Sequence, residues 1–149
     1  MLTMKGKYGL KAMADLARLP PGEVTQSAEI AERHGISKKF LDAILADLRV
    51  DGLISTRKGR NGGYALSRPA EGISVGQILR VLDGPLAPIA CASRTAYVPC
   101  TDCGDTARCN VRRTMLEVRD AIAAVLDGTT LADFAAGGAP IDEISAATG

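Results

Sequence analysis

All four cysteines of this 149-residue chain, Cys91, Cys100, Cys103 and Cys109, fall within 19 residues at the spacing C-x8-C-x2-C-x5-C. Thiolates gathered in one loop just ahead of a helical segment can converge on a soft metal centre, which cysteines scattered through a core cannot. Four sulfur donors suit an iron-sulfur cluster and a tetrahedral zinc ion equally well, and their spacing does not separate the two. A metal-free thiol or disulfide switch is the third chemistry open to them. Polar Thr101-Asp102 and Gly104-Asp105 surround the thiols, so the loop is expected to be accessible and its thiolates reactive. Other chemistry is poorly supplied: His34 is the single histidine, and no nucleophile-base or acid-base pair stands out. Gly59-Arg60-Asn61-Gly62-Gly63 lacks the lysine of a nucleotide-phosphate loop and does not open a helix. The chain does not read as an enzyme. A small electron carrier using the same thiols is the competing class.

The segments around the cysteines must therefore explain what the thiols serve. An apolar content of 46% permits a real core. The first residues lack the apolar stretch of a signal peptide and no run is long enough to span a bilayer, so a cytoplasmic protein with no membrane partner is expected. In that reducing compartment, clustered thiols point to metal or redox chemistry before stapling. The net charge of +1 hides an asymmetry: residues 1–70 hold 12 Lys/Arg against 7 Asp/Glu, whereas residues 71–149 hold 6 against 10. The positive half is the one expected at phosphate. With three Tyr, two Phe and no Trp, a stacking platform for single strands is disfavoured and duplex DNA is the better partner.

Residues 4–19 space Tyr8, Leu10, Met13, Leu16 and Ala17 as one helical face that stops at Pro20-Pro21-Gly22. Thr25 or Ser27 is the expected cap of a short second helix with Ala28, Ile30 and Ala31 turned inward, left through Gly35 at positive φ. Ser37 then caps a third helix carrying Phe40, Leu41, Ile44, Leu45 and Leu48 on one stripe. Only Gly35-Ile36-Ser37 separates these helices, a connection of the helix-turn-helix kind. Leu53–Arg57 and Tyr64–Ser67 alternate as two strands around the basic, glycine-rich Lys58–Gly63, the pattern of a wing whose glycines permit close approach to a duplex. Ser74 caps a fourth helix, a long Pro-, Ala- and Cys-bearing connection follows, and residues 110–127 repeat apolar side chains at helical spacing.

That long helix has more apolar face than a small winged domain can cover, so a homodimer is expected. The fold class is mainly α with a small β-hairpin: a winged helix-turn-helix domain plus a long dimerisation helix. Residues 1–70 form the DNA-binding domain, 71–109 the connecting helix and cysteine-bearing loop, 110–135 the dimerisation helix with a short C-terminal helix, and 136–149 a loose tail.

These landmarks, with Lys5–Leu10, Ile30-Ala31 through Ser37, Gly59 through Tyr64, and Thr130–Asp133, resemble the Rrf-two family of bacterial winged-helix transcriptional regulators, of the IscR, NsrR and RirA kind. The resemblance spans Met1 to Phe134. It implies a regulator, read as a repressor, that binds a palindromic operator with its third helix in the major groove and its wing in the minor groove. Carried over by position, the DNA-facing candidates are Ser37, Lys38, Lys39 and Asp42 on that helix and Lys58 and Arg60 on the wing. The resemblance also favours an iron-sulfur cluster over zinc, with Cys103 and Cys109 as the last two family ligands. Either Cys91 or Cys100 takes the first place and the other can be a fourth. Relatives with a histidine shortly after the last cysteine differ here, where Val111-Arg112 stands instead.

Overall fold

Five helices begin where the sequence supplies a side-chain cap, and the geometry shows why each starts there. In the computed structural model, which describes residues 2–102 and 104–137, the elements are α1 (Met4–Ala17), α2 (Ser27–His34), α3 (Lys38–Val50), β1 (Ile54–Arg57), β2 (Gly63–Leu66), α4 (Val75–Asp83), α5 (Asn110–Gly128) and α6 (Leu131–Ala136). Side chains of Thr3, Ser37, Ser74 and Thr130 accept backbone N–H bonds of 3.0–3.1 Å at the heads of α1, α3, α4 and α6. Cys109 does the same for α5 with its sulfur, 3.5 Å from the Arg112 nitrogen. Each satisfies a donor that the first helical turn would otherwise leave unpaired.

The second helix departs from expectation. Its N-cap is Gln26, with no side-chain cap bond. Thr25 is instead held in a two-way backbone pairing with Tyr64 of β2, and its hydroxyl donates to Glu29 at 2.6 Å, holding that carboxyl below its ordinary range. Ser27 lies inside the helix and takes the inward position, so the buried set is Ser27, Ile30 and Ala31 while Ala28 faces outward. Gly35 leaves the helix at φ 62°, as its position requires.

Leu41, Ile44, Leu45 and Leu48 of α3 are fully buried in one core with Met13 of α1, Ile30 of α2, Leu53, Ile78 of α4 and Leu131 of α6. Gly9 allows this packing: a β-carbon there would sit 2.0 Å from Leu82 and 3.3 Å from Ile44. The last helix joins the core because the chain returns to it, with Val75 N donating to Thr129 O at 2.9 Å and Leu131 N to Ile73 O at 2.7 Å. The strands pair antiparallel from Ile54 opposite Leu66 to Arg57 opposite Gly63, projecting residues 58–62 as a tip. No described helix is long and apolar enough to cross a membrane.

Candidate nucleic-acid interface and cysteine loop

The first turn of α3 lies outside the core and carries the predicted cations. Ser37 and Lys39 are exposed, and no carboxylate lies within ion-pair reach of Lys39 among the described residues. Lys38 pairs with Asp42 one turn on, at 2.8 Å. That contact raises the Lys38 ammonium above its ordinary range, and it lowers the Asp42 carboxyl with further help from Ser27. Asp42 is thus already engaged by Lys38 through Oδ2, while Lys39 is available as it stands.

The wing is fastened at its base and open at its end. Arg57 donates to the Gly22 carbonyl at 3.1 Å, tying β1 to the turn after α1. Beyond it Lys58 and Arg60 are exposed and have no ion-pair partner among the described residues. The glycines divide in role. Gly59, at φ 107°, is open, but a β-carbon on Gly62 would fall 2.1 Å from the Arg57 carbonyl and one on Gly63 2.5 Å from that of Thr25. Gly62 and Gly63 thus serve close contacts within the protein itself, a need that their spacing in the sequence did not reveal.

His34 is half-buried at the end of α2 and lies 2.8 Å from the buried Asp15. Arg33 and Arg18 pair with the same carboxylate at 2.9 and 3.3 Å. This cluster joins α1 to α2, far in sequence from the thiols.

Of the candidate metal ligands, Cys103 lies outside the described residues, as does the tail expected beyond residue 137. Cys91 sits in a 3-10 turn, Ala90–Ala92, and is 4% exposed. Burial first and then the neighbouring thiol of Cys100 push its thiol up, against the charge of Arg112. The uniformly accessible loop expected from sequence is thus corrected: Cys91 is buried, and Cys100 and Cys109 are half-buried. Ala92 and Ser93, also buried, wall off the first thiol despite the polar residues further along. Among the described residues no three ligating side chains gather to metal-binding distance, so Cys91, Cys100 and Cys109 do not converge on one point.

One arginine bonds two of them. Arg112 donates through Nε to the Cys91 carbonyl at 2.9 Å and through its backbone nitrogen to Cys109 Sγ, with its guanidinium 5.7 Å from the Tyr97 ring centre. Arg94 adds a two-bond clamp on Asp120 of α5 at 2.9 and 2.8 Å. Arg119 shares that carboxylate at 3.0 Å, and the two arginines hold it well below the usual carboxylate range. Arg80 of α4 clamps Asp127 of α5 at 2.6 and 2.8 Å. These arginines escaped sequence reasoning; only the place of Arg112, three residues after the last cysteine, offered a signal.

Along α5 itself, Ala123 is the one buried residue among those described. Val111, Val118 and Val125, seven residues apart, are 61%, 39% and 66% exposed. Val118, Ile122 and Leu126 also line an open apolar furrow of about 710 Å³ with Leu2, Leu79 and Phe134.

The chain matches, over residues 2–137, the model of the Rrf2 (Rrf-two) family, described as "Iron-dependent Transcriptional regulator". It is 43% identical over 143 residues to an rrf2-like HTH-type transcriptional regulator of Rhodobacter capsulatus, covering 94% of this chain and 95% of that one. The structure of CymR, the global cysteine regulator of Bacillus subtilis, superposes with a TM-score of 0.75 at 33% identity over 91% of this chain and 96% of CymR. IscR of T. potens superposes with a TM-score of 0.70, also at 33% identity, over 90% of this chain and 85% of IscR. These relatives are regulators, not enzymes, and their winged-helix architecture is that of this chain.

Proposed function

The chain belongs to the Rrf2 family of DNA-binding transcriptional regulators, and on that premise we propose that it is a cytoplasmic, homodimeric repressor whose hold on a palindromic operator is set by an iron-sulfur cluster in the loop before α5. The observation that carries this reading is the joint use of Arg112, which bonds two cysteine residues while belonging to the helix that would join the subunits.

Lys39, Lys58 and Arg60 supply free positive charge for phosphate or a base edge, and Ser37, Lys38 and Asp42 complete the α3 face that enters the major groove. Two copies joined along Val111, Val118 and Val125 would cover the apolar stripe that one copy leaves in water, and would present two recognition helices to two half-sites. Dividing the chain after residue 70 and again after residue 109 follows these roles.

The donor set suits a soft metal centre: Cys91 and Cys100 are neighbours, and a third sulfur accepts from the head of α5. Cys91 and Cys100 would hold the group together with Cys103 and Cys109, and the nearness of the first two supports giving both a place. When bound, an iron-sulfur cluster supplies redox and iron-responsive chemistry. The chain's own residues carry the consequence. A shift at Cys91 or Cys109 moves Arg112, Arg112 belongs to α5, and Arg80–Asp127 ties α5 to the helix packed on α3. A coupling of about 1–3 kcal/mol between loop and DNA face suffices for a switch.

The neighbouring thiols favour one second reading, a metal-free switch in which a two-electron oxidant such as a peroxide converts Cys91 and Cys100 to a disulfide and is itself reduced to water or alcohol. Anaerobic purification followed by absorbance spectroscopy and iron, sulfide and zinc analysis separates the readings. Iron with matching sulfide supports the cluster; zinc alone replaces it; neither leaves the thiol switch. Gel shifts on the duplex upstream of the chain's own gene, with loaded and stripped protein, test the regulation, and equal binding by both forms would refute it.

A further inference from the structure

Two lysines on α1 have no part in the interface described so far. Lys7 and Lys11 are exposed, lie one turn apart on the same helical face, and repel each other there. Among the described residues neither has a carboxylate within ion-pair reach, whereas the neighbouring Lys5 pairs with Asp47 and Lys38 with Asp42. Both ammonium groups instead flank the ring of Tyr8, at 5.6 and 5.5 Å from its centre. The ring in turn meets Phe40 edge-on, with centroids 6.3 Å apart and planes at 82°. Phe40 follows Lys38 and Lys39 directly in the first turn of α3.

An aromatic face attracts cations without neutralising them. Tyr8 therefore gathers two uncompensated positive charges and, through Phe40, fixes them beside the head of the recognition helix. The ligand this arrangement suits is a polyanion running past α3, and on the reading that α3 enters the major groove that polyanion is the duplex backbone. We propose that Lys7 and Lys11 form a second phosphate-binding element, gripping the strand that borders the groove and setting how far α3 enters it.

The test measures binding of a mixed-sequence duplex about three helical turns long, by fluorescence anisotropy over a salt series. Each phosphate contact contributes about 0.9 to the slope of log K against log salt. Lys7→Ala with Lys11→Ala is expected to lower that slope by about 1.8 per bound subunit, about 3.6 for a dimer with both halves on the duplex, and to weaken binding roughly tenfold or more at 0.1 M salt, at unchanged melting temperature. Lys7→Arg with Lys11→Arg should keep the wild-type slope. An unchanged slope in the alanine pair overturns the proposal, and so does a lost slope in the arginine pair, because the effect would then lie in packing. Lys39→Ala is run in parallel. If it binds as wild type while the α1 pair loses slope, the fault lies with the α3 reading and not with this element.

Discussion

The winged half and the cysteine-bearing half are built by opposite means. In the first, α1 to α4 share a core of fully buried aliphatic side chains to which α6 adds Leu131, and α3 alone places four leucines and isoleucines there. In the second, the segment between α4 and α5 contributes little to that core and is held by arginines, Arg112 on the Cys91 carbonyl and Arg94 on Asp120, while Arg80 on Asp127 ties the two helices to each other. Close packing is stiff and insensitive to solutes, whereas exposed ion pairs and single hydrogen bonds are weak one by one and easily exchanged. A rigid reader of DNA and a segment free to answer chemistry are thus present in one short chain.

The contrast breaks most visibly in the core. Ile44→Ala should cost about 2–5 kcal/mol of stability, read as a lowered midpoint in denaturant, because the cavity cannot collapse among fully buried neighbours. Val118→Asp with Val125→Asp should preserve the helical circular dichroism yet sediment as a monomer, and lose about 100-fold in operator affinity when two half-sites no longer act together. Arg112→Ala should retain the fold but release metal about 10- to 100-fold more readily in a chelator competition, the usual penalty for removing a group that orients ligands.

Smaller effects sharpen the comparison. Lys58→Ala and Arg60→Ala should each lower the salt slope of DNA binding by about 1 at constant melting temperature. Smallest is the acid response of the Arg94–Asp120 clamp. Its carboxyl is held below the ordinary value, so the clamp contributes at any pH above the ordinary carboxylate range and is lost as pH falls through the lowered one. Lowering pH from 7 to about 5 should leave it intact, and a carbon-13 titration should place the Asp120 midpoint below that of a free aspartate, about 3.9.

The winged half was far more legible in the sequence than the cysteine-bearing half. Caps at Ser37 and Ser74, the 3.6-residue spacing of Leu41, Ile44, Leu45 and Leu48, and the alternation on either side of Gly59 are local signals, and local signals survive into structure. Thr25 misled because a distant pairing with Tyr64 overrode its capping preference. The thiol loop was recognisable as a cluster, but the burial of Cys91 depends on Ala92 and Ser93 folding into a turn, which no periodicity announces. Long-range partners such as Arg94 and Asp120, 26 residues apart, carry no pattern at all.

The return of the chain at Thr129 has a mechanical consequence. Backbone bonds from Val75 and Leu131 pin the lower end of α5 to the body of the molecule, while near its upper end Arg112 bonds the Cys91 carbonyl of the thiol loop. Nineteen residues make a rod about 28 Å long, anchored at its base. A tilt of about 5° there sweeps the tip by roughly 2.5 Å, so a displacement of bond-length scale beside the sulfurs corresponds to only a slight rotation at the pivot. On the proposed reading, such gearing would turn a chemical change beside the sulfurs into a small reorientation of the DNA-binding helix.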